Sequence, residues 1–206
     1  MALEIDKRLN LVIPLPRQGQ VIYVHSMPLG TPTFRHFFRV MSKAFAQMHK
    51  DNLQLLGGLR VMGMMLEDIA RSTPRDGDAT SSWWEGPDGV EQMLIPEIRR
   101  LTNVVLAENG AWKTVPYDDA VRTQRLVPEE IEEVEGAISF FTVSSAMHSR
   151  IMRNMMLESA AAMYGLQTTS SSLMEFMSSL TTSTTDESIG EKVPAPTQEE
   201  ASFIPH

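Results

Sequence analysis

The chain contains no cysteine among its 206 residues. Disulfide bonds, thiolate ligands for a metal ion and cysteine nucleophiles are therefore excluded together. It also lacks a run of about 18 consecutive apolar residues, which a helix needs to cross a membrane. The first residues show no basic stretch followed by an apolar segment and a small-residue cleavage site. We therefore expect no secretory signal, no membrane partner and a cytoplasmic protein.

Lysine and arginine are scarce as well, at 18 residues against 26 aspartates and glutamates, which gives a formal net charge of −8. An acidic chain is a poor match for a phosphate backbone unless it carries a local basic patch. The arginines form isolated pairs such as Arg99-Arg100, without the interleaved aromatic residues that single-strand binding needs. We therefore predict no nucleic-acid partner.

Sequence motifs of common enzyme chemistry are missing too. The chain has no GxxxxGK[ST], GxGxxG, HExxH or GxSxG segment. His36 and His49 lie too far apart to be ligands on adjacent helical turns. The carboxylates of 129–133 fit the charged start of a helix better than an acid/base pair. We predict no catalytic, cofactor-binding or metal-binding residues, and a binding or assembly protein in place of an enzyme.

Apolar residues make up 42% of the chain, enough to fill a sizeable core. Apolar spacings of three and four residues predict helices over much of it. These helices begin near Thr33, Asn52, Val90, Tyr117, Pro128 and Leu173. We expect the phenylalanines of 34–45 to pack against the apolar side of 131–141, and Leu55 to lie on the buried face of its helix. The helix that starts at Pro128 should run to Gly165, and 168–172 should cap the next one.

Two segments show strand signals. Residues 9–25 predict an N-terminal β-hairpin with Gly19 in its turn. Residues 102–115 predict either a second short hairpin around Asn109-Gly110 or only a loop. A lone hairpin is marginally stable in water, so it must pack on helices or join another sheet. We therefore predict a mainly α (α+β) fold, with one helical domain over residues 1–180 and the small hairpin at its N-terminus.

Residues 181–206 differ sharply in composition, being rich in Ser, Thr, Glu and Pro. They contain five acidic residues and one lysine, and so carry half of the formal charge of the chain. Such a segment cannot bury enough apolar surface to offset its ordering entropy. We predict a disordered, acidic C-terminal tail.

Methionine is unusually abundant, at 15 residues. Its flexible thioether serves either as core filler or as an adaptable binding face. The division into polar and apolar sides blurs in the second half of the long helix, where several methionines cluster. Two adjacent tryptophans lie in the polar segment 72–89, where they either fold back over the core or leave one ring exposed as an anchor. Our candidate partner-binding residues are Met152, Met155, Met156, Met163, Trp83, Trp84 and Phe176.

Several segments together resemble the tail assembly chaperones of long-tailed bacteriophages, which are encoded near the tape-measure protein. The resemblance lies in 23–26, 34–43, 84–91, 97–104, 133–148, 168–170, 175–176 and 179–184. These segments span most of the chain, and they are packing and loop sequences without chemical motifs.

The resemblance implies a mostly helical, non-enzymatic protein of the host cytoplasm. Such a protein would bind the tape-measure protein as its client, keep it soluble and help to recruit the tail-tube protein during tail assembly. Because coating a long client takes many copies, we also expect self-association. The alternatives are a structural virion component, such as a tail or connector subunit, and an uncharacterised enzyme.

Overall fold

The computed structural model describes residues 9–75, 78–147 and 150–180. Numbered along the chain, its helices are α1 (Thr31–Lys50), α2 (Leu53–Gly57), α3 (Arg60–Ser72), α4 (Ile95–Arg100), α5 (Tyr117–Arg122), α6 (Pro128–Met147), α7 (Arg150–Tyr164) and α8 (Leu173–Ser179). A π-helical turn over Val90–Leu94 leads directly into α4. The strands are β1 (Asn10–Arg17), β2 (Gln20–Ser26), β3 (Pro74–Arg75), β4 (Asp78–Ser82), β5 (Thr102–Glu108), β6 (Ala111–Pro116) and β7 (Gln167–Thr169).

Two hairpins and the strand β7 form a five-stranded antiparallel sheet in the order β6-β5-β2-β1-β7. The first hairpin turns at Gly19 with φ +78°, and the second at Asn109 and Gly110 with φ +55° and +75°. The second turn has a positive φ at both of its residues, which suits the twist of the flanking strands and which Asn-Gly tolerates best, whereas the first has it at Gly19 and not at Gln18. Both hairpins are therefore closed by the residues that predicted them. Strands β3 and β4 pair separately with each other.

The prediction of a mainly α fold is wrong, because the sheet joins both hairpins and the fold is α+β. The joining contact is the pairing of β2 with β5, in which Tyr23 lies opposite Val105. The outer strand β7 pairs with β1, although 168–172 was expected only to cap a helix. Each of these pairings connects distant parts of the chain, and a local spacing pattern carries no signal for them.

Helix α6 packs against β1, and α1 and α3 pack against α6, so these helices share one core with one face of the sheet, which we call the inner face. All residues from Gly136 to Ala146 of α6 are buried, so this helix lies at the centre of the core. The rings of Phe45 and Phe140 lie 5.5 Å apart, which confirms the expected packing of the phenylalanine helix against α6. Phe38 departs from that expectation, since it is 38% exposed.

Glycines determine how closely α6 approaches α3 and where two of the helices end. A Cβ at Gly136 would lie 2.3 Å from the Leu59 carbonyl oxygen, so α6 contacts the backbone at the start of α3. Gly58, with φ +69°, separates α2 from α3. The sequence predicts a helix from Asn52 whose glycines allow either close helix approach or a break near its start, and Gly58 makes that break. Gly165 has φ +67° and ends α7 as predicted.

Two predictions concern residues outside the described ranges. The predicted long helix corresponds to α6 and α7, which lie on either side of residues 148–149, and these two residues are outside the described ranges. The predicted tail at 181–206 is also outside the described ranges. Within the described residues, no helix is both long and apolar enough to cross a membrane.

Candidate partner-binding surface

Helix α7 has one side in the core and one side exposed. Leu157 and Ala160 are buried, and Met156 packs partly buried against the same core cluster. Met152, Met155 and Met163 are 45%, 56% and 57% exposed. Their spacing of three and then eight residues places them along one line on the helix surface. We call Met152, Met155 and Met163 the methionine stripe; three of the four predicted methionines lie on it, and Met156 does not.

Further exposed apolar residues lie on α7 and on α2. Ile151 of α7 is 77% exposed, and Leu55 and Leu56 of α2 are 64% and 85% exposed. A Cβ at Gly58 would lie 4.0 Å from the Tyr164 ring, so the turn between α2 and α3 lies against the end of α7. Leu55 and Leu56 lie just before Gly58 in the chain, and Met163 lies just before Tyr164. The exposed leucines therefore lie near the C-terminal end of α7, where the stripe ends at Met163.

An open groove continues from α2 along α3. It has a volume of about 430 Å³, and its walls come from Leu53, Leu56, Gly57, Arg60, Val61, Met64 and Glu132. A smaller cavity of about 160 Å³ adjoins it, because both are lined by Arg60, Met64 and Glu132. The lining is mainly aliphatic with an arginine and a glutamate, which suits an apolar side chain with a polar neighbour.

The sequence predicts Leu55 in the core, gives Leu56 no role and counts Ile151 among the apolar residues of the second half of the long helix. The prediction for Leu55 is wrong because Gly57 and Gly58 interrupt the helix and reset its phase. The apolar spacing of α3 therefore no longer applies to α2. The Gly-Gly pair was the signal, since a break there disconnects the residues before it from the buried face after it.

Trp83 and Trp84 lie away from the exposed surface, being only 9% and 8% exposed. The guanidinium carbon of Arg75 is 5.1 Å from the Trp83 ring centroid, and that of Arg71 is 4.4 Å from the Trp84 ring centroid. Trp84 also lines the smaller cavity. The tryptophans follow the alternative in which they fold back over the core, and as placed neither offers an exposed anchor.

Phe176 lies on the opposite side of the sheet from the methionine stripe. Strand alternation directs Ile22 and Val24 into the inner core and Tyr23 and His25 to the other face. The Phe176 ring lies 5.5 Å from the Tyr23 ring and 5.8 Å from the His25 ring. The predicted partner-binding residues therefore form two separate groups, with the tryptophans in neither.

His25 is almost completely buried beneath α8, at 1% exposure. Its Nε2 lies 3.3 Å from the Ser171 carbonyl oxygen, which also accepts a hydrogen bond from Asn10 Nδ2 at 2.9 Å. Burial lowers the pKa of His25, because the charged ring would lack hydration in the interior, and the hydrogen bond to the Ser171 carbonyl only partly offsets this. The ring is therefore neutral near pH 7.

Glu130 and Glu135 of α6 form ion pairs with arginines from other elements of the fold. Glu130 accepts hydrogen bonds from Arg17 Nε at 2.9 Å and from the Val127 N–H at 2.9 Å. Burial acts to raise the pKa of Glu130, but these bonds and the Arg17 charge outweigh it and lower the pKa. Burial raises the pKa of Glu135, although the Arg99 guanidinium bonds to it at 2.9 Å and acts in the opposite direction. These pairs tie the first hairpin and α4 to α6.

Within the described ranges, no group of three His, Asp or Glu side chains could hold a metal ion. Comparison with protein-family models, with curated proteins and with solved structures gave no match. The candidate site is therefore defined by geometry alone: a methionine stripe, two exposed leucines and an adjoining groove.

Proposed function

We propose that this chain is a non-enzymatic tail assembly chaperone of a long-tailed bacteriophage. In the host cytoplasm it binds the tape-measure protein, keeps it soluble and helps to recruit the tail-tube protein. The observation that carries the proposal is the exposed apolar surface of α7 and α2, formed by the methionine stripe with Leu55 and Leu56. Exposed apolar surface of this kind is typical of protein interaction sites.

The chemistry of the stripe suits such a client. A tape-measure protein presents long apolar helices that would aggregate before the tail tube encloses them. Unbranched methionine side chains adapt to many apolar shapes, so one surface can bind successive segments of a long helix. The groove beside α2 and α3 can accept a single larger side chain from the same helix. The acidic character of the whole chain favours solubility of the coated client.

Binding is favoured over catalysis by the small size of one cavity and by the lining of the larger groove. The smaller cavity, about 160 Å³, is below the roughly 300 Å³ at which small-molecule sites begin. The larger groove is open and mainly aliphatic, with Arg60 and Glu132 as its charged residues. An apolar groove with few polar groups suits a side chain of a protein partner better than a reacting substrate.

The test is co-expression with the tape-measure protein followed by affinity purification. Replacing Met152 and Met155 with glutamate places two charges on the stripe, so co-purification of the client should fall at least tenfold. Such a loss corresponds to about 1.4 kcal/mol, which one buried charge readily exceeds. The far-UV circular dichroism spectrum should not change, because both side chains are exposed.

Asn154 provides the matched control, since it is exposed on α7 but lies off the stripe. The single variants Met155→Glu and Asn154→Glu add the same charge at adjacent positions. Only the first should weaken client capture. Equal capture by both variants would contradict the assignment of the stripe as the client surface.

A further inference from the structure

The outer face of the sheet, opposite the helical layer, is itself deeply buried. Val12, His25 and Val105 lie on this face and are 1%, 1% and 0% exposed. The segment 166–180, which contains β7 and α8 and which we call the C-terminal arm, covers Tyr23 and His25 on this face. Phe176 makes the aromatic contacts of the arm with the sheet, because its ring lies against those of both Tyr23 and His25.

The arm is attached by a small set of contacts to β1 and β2. Strand β7 pairs with β1 through three residue pairs, from Asn10 opposite Thr169 to Val12 opposite Gln167. The Ser171 carbonyl accepts a hydrogen bond from Asn10. None of the residues of α8 is fully buried, although they cover buried residues. The arm is thus held at its edge strand and at one aromatic ring.

Helix α8 is complete within the arm. The Glu175 N–H donates to Ser172 Oγ, and the Ser172 N–H donates to Glu175 Oε2, so the helix carries its own capping box. Its apolar residues Leu173, Phe176, Met177 and Leu180 follow the spacing of a helix that binds along one face. A segment with its own cap and its own apolar face can form the same contacts wherever it docks.

The arm leaves α7 at Gly165. This glycine has φ +67°, and no atom lies within 4 Å of the position that its Cβ would take. Of residues 166–180, only Leu166 belongs to the core cluster, so release of the arm would withdraw this one side chain from it. A glycine between a body and a self-contained element is a hinge at which copies of a chain can exchange that element.

We propose that the outer face of the sheet is an interaction surface for the C-terminal arm of a second copy of this chain. Phe176 of one copy then lies between Tyr23 and His25 of the next. The occupant follows from the structure, because the arm already fills this face and an identical arm would make identical contacts. Each copy offers one arm and one face, so exchange either closes as a reciprocal dimer or continues from copy to copy. This inference rests on the proposed coating function for its requirement of many copies.

The absence of cysteine makes the exchange directly measurable. Asn10 and Thr169 lie opposite each other in β1 and β7, close enough for a disulfide between their positions. The two variants Asn10→Cys and Thr169→Cys are co-expressed with different affinity tags, purified through both tags without any client and oxidised gently. Exchange should yield a covalent heterodimer that joins positions 10 and 169.

Two controls make the result decisive. Thr114→Cys, on the exposed edge strand β6, replaces Thr169→Cys and reports random collisions, and it should give at least tenfold less heterodimer. The double variant Asn10→Cys/Thr169→Cys in a single chain shows that the two positions can form the bond. The proposal would be overturned if the disulfide forms rapidly within the single chain while the heterodimer stays at the level of the Thr114→Cys control. That result would leave the proposal of client binding by the methionine stripe unaffected.

A second measurement does not depend on disulfide formation. Phe176→Ala removes the ring that seats the arm, whereas Met174→Ala changes a side chain on the same helix that is 70% exposed. Light scattering should show assemblies of wild type and of Met174→Ala that fall to monomer in Phe176→Ala. Assemblies that are unchanged in Phe176→Ala would also overturn the proposal.

Discussion

The contact between α3 and α6 allows a prediction whose size can be worked out from the structure. A Cβ at Gly136 would lie 2.3 Å from the Leu59 carbonyl oxygen and 2.7 Å from the Arg60 Cα. Both atoms belong to the backbone, so no side-chain rotation can relieve the contact. The variant Gly136→Ala must therefore push the start of α3 away from the central helix of the core.

The expected cost follows from two opposing terms. Overpacking of a core costs up to about 3 kcal/mol when backbone has to move. Alanine in place of glycine inside a helix returns about 1 kcal/mol. The free energy of unfolding should thus fall by about 2 kcal/mol. A domain of this size loses about 2–4 °C in Tm per kcal/mol, which gives a fall of roughly 4–8 °C in thermal unfolding followed by circular dichroism.

Gly63 is the matched control on the facing helix. Its Cβ would lie 3.7 Å from Gly136 Cα and N, an ordinary van der Waals distance. Gly63→Ala should therefore keep the packing and gain helix propensity, with a rise in Tm of roughly 2–4 °C. Equal Tm values for Gly136→Ala and wild type would refute the described approach of α6 to the start of α3.

Two further predictions concern His25 and the virion. Because burial lowers the pKa of His25 below 6.5, the unfolded chain takes up a proton before the folded chain does as the pH falls. The contribution of His25 to the free energy of unfolding is present above pH 6.5 and is lost as the pH falls below it. Tm should therefore fall more steeply from pH 7 to 5.5 in wild type than in His25→Gln. Parallel curves of Tm against pH for the two proteins would contradict this prediction. The proposed chaperone should also be missing from purified virions analysed by mass spectrometry, whereas a structural tail or connector subunit would be present in stoichiometric amounts.

Local features of this fold were predictable because neighbouring residues determine them. Gly19 and Asn109-Gly110 provide the positive φ that two-residue hairpin turns need, and Gly165 ends α7 in the same way. Ser172, within the predicted capping segment 168–172, caps α8, and Glu175 completes the capping box. The pairings of β2 with β5 and of β1 with β7 connect distant segments, and these pairings turn two separate hairpins into a sheet.

The candidate surface was predictable only in part, for the same reason. A cluster of methionines on one helix marked Met152, Met155 and Met163, but which of them would face the core depends on where α7 packs. Trp83 and Trp84 are covered by contacts with arginines, which the sequence of a polar loop does not reveal. The sequence predicts Phe176 as a partner-binding residue together with the methionines, yet the sheet separates it from them.

The central claim is that the client binds along the methionine stripe. It is tested most directly by placing a photo-crosslinker on single cysteines introduced by Met155→Cys and Asn154→Cys, in a chain that has no other cysteine. Irradiation in the presence of the tape-measure protein should cross-link it strongly from position 155 and weakly from position 154. Equal cross-linking from both positions, or cross-linking from neither while the client still co-purifies, would contradict the claim.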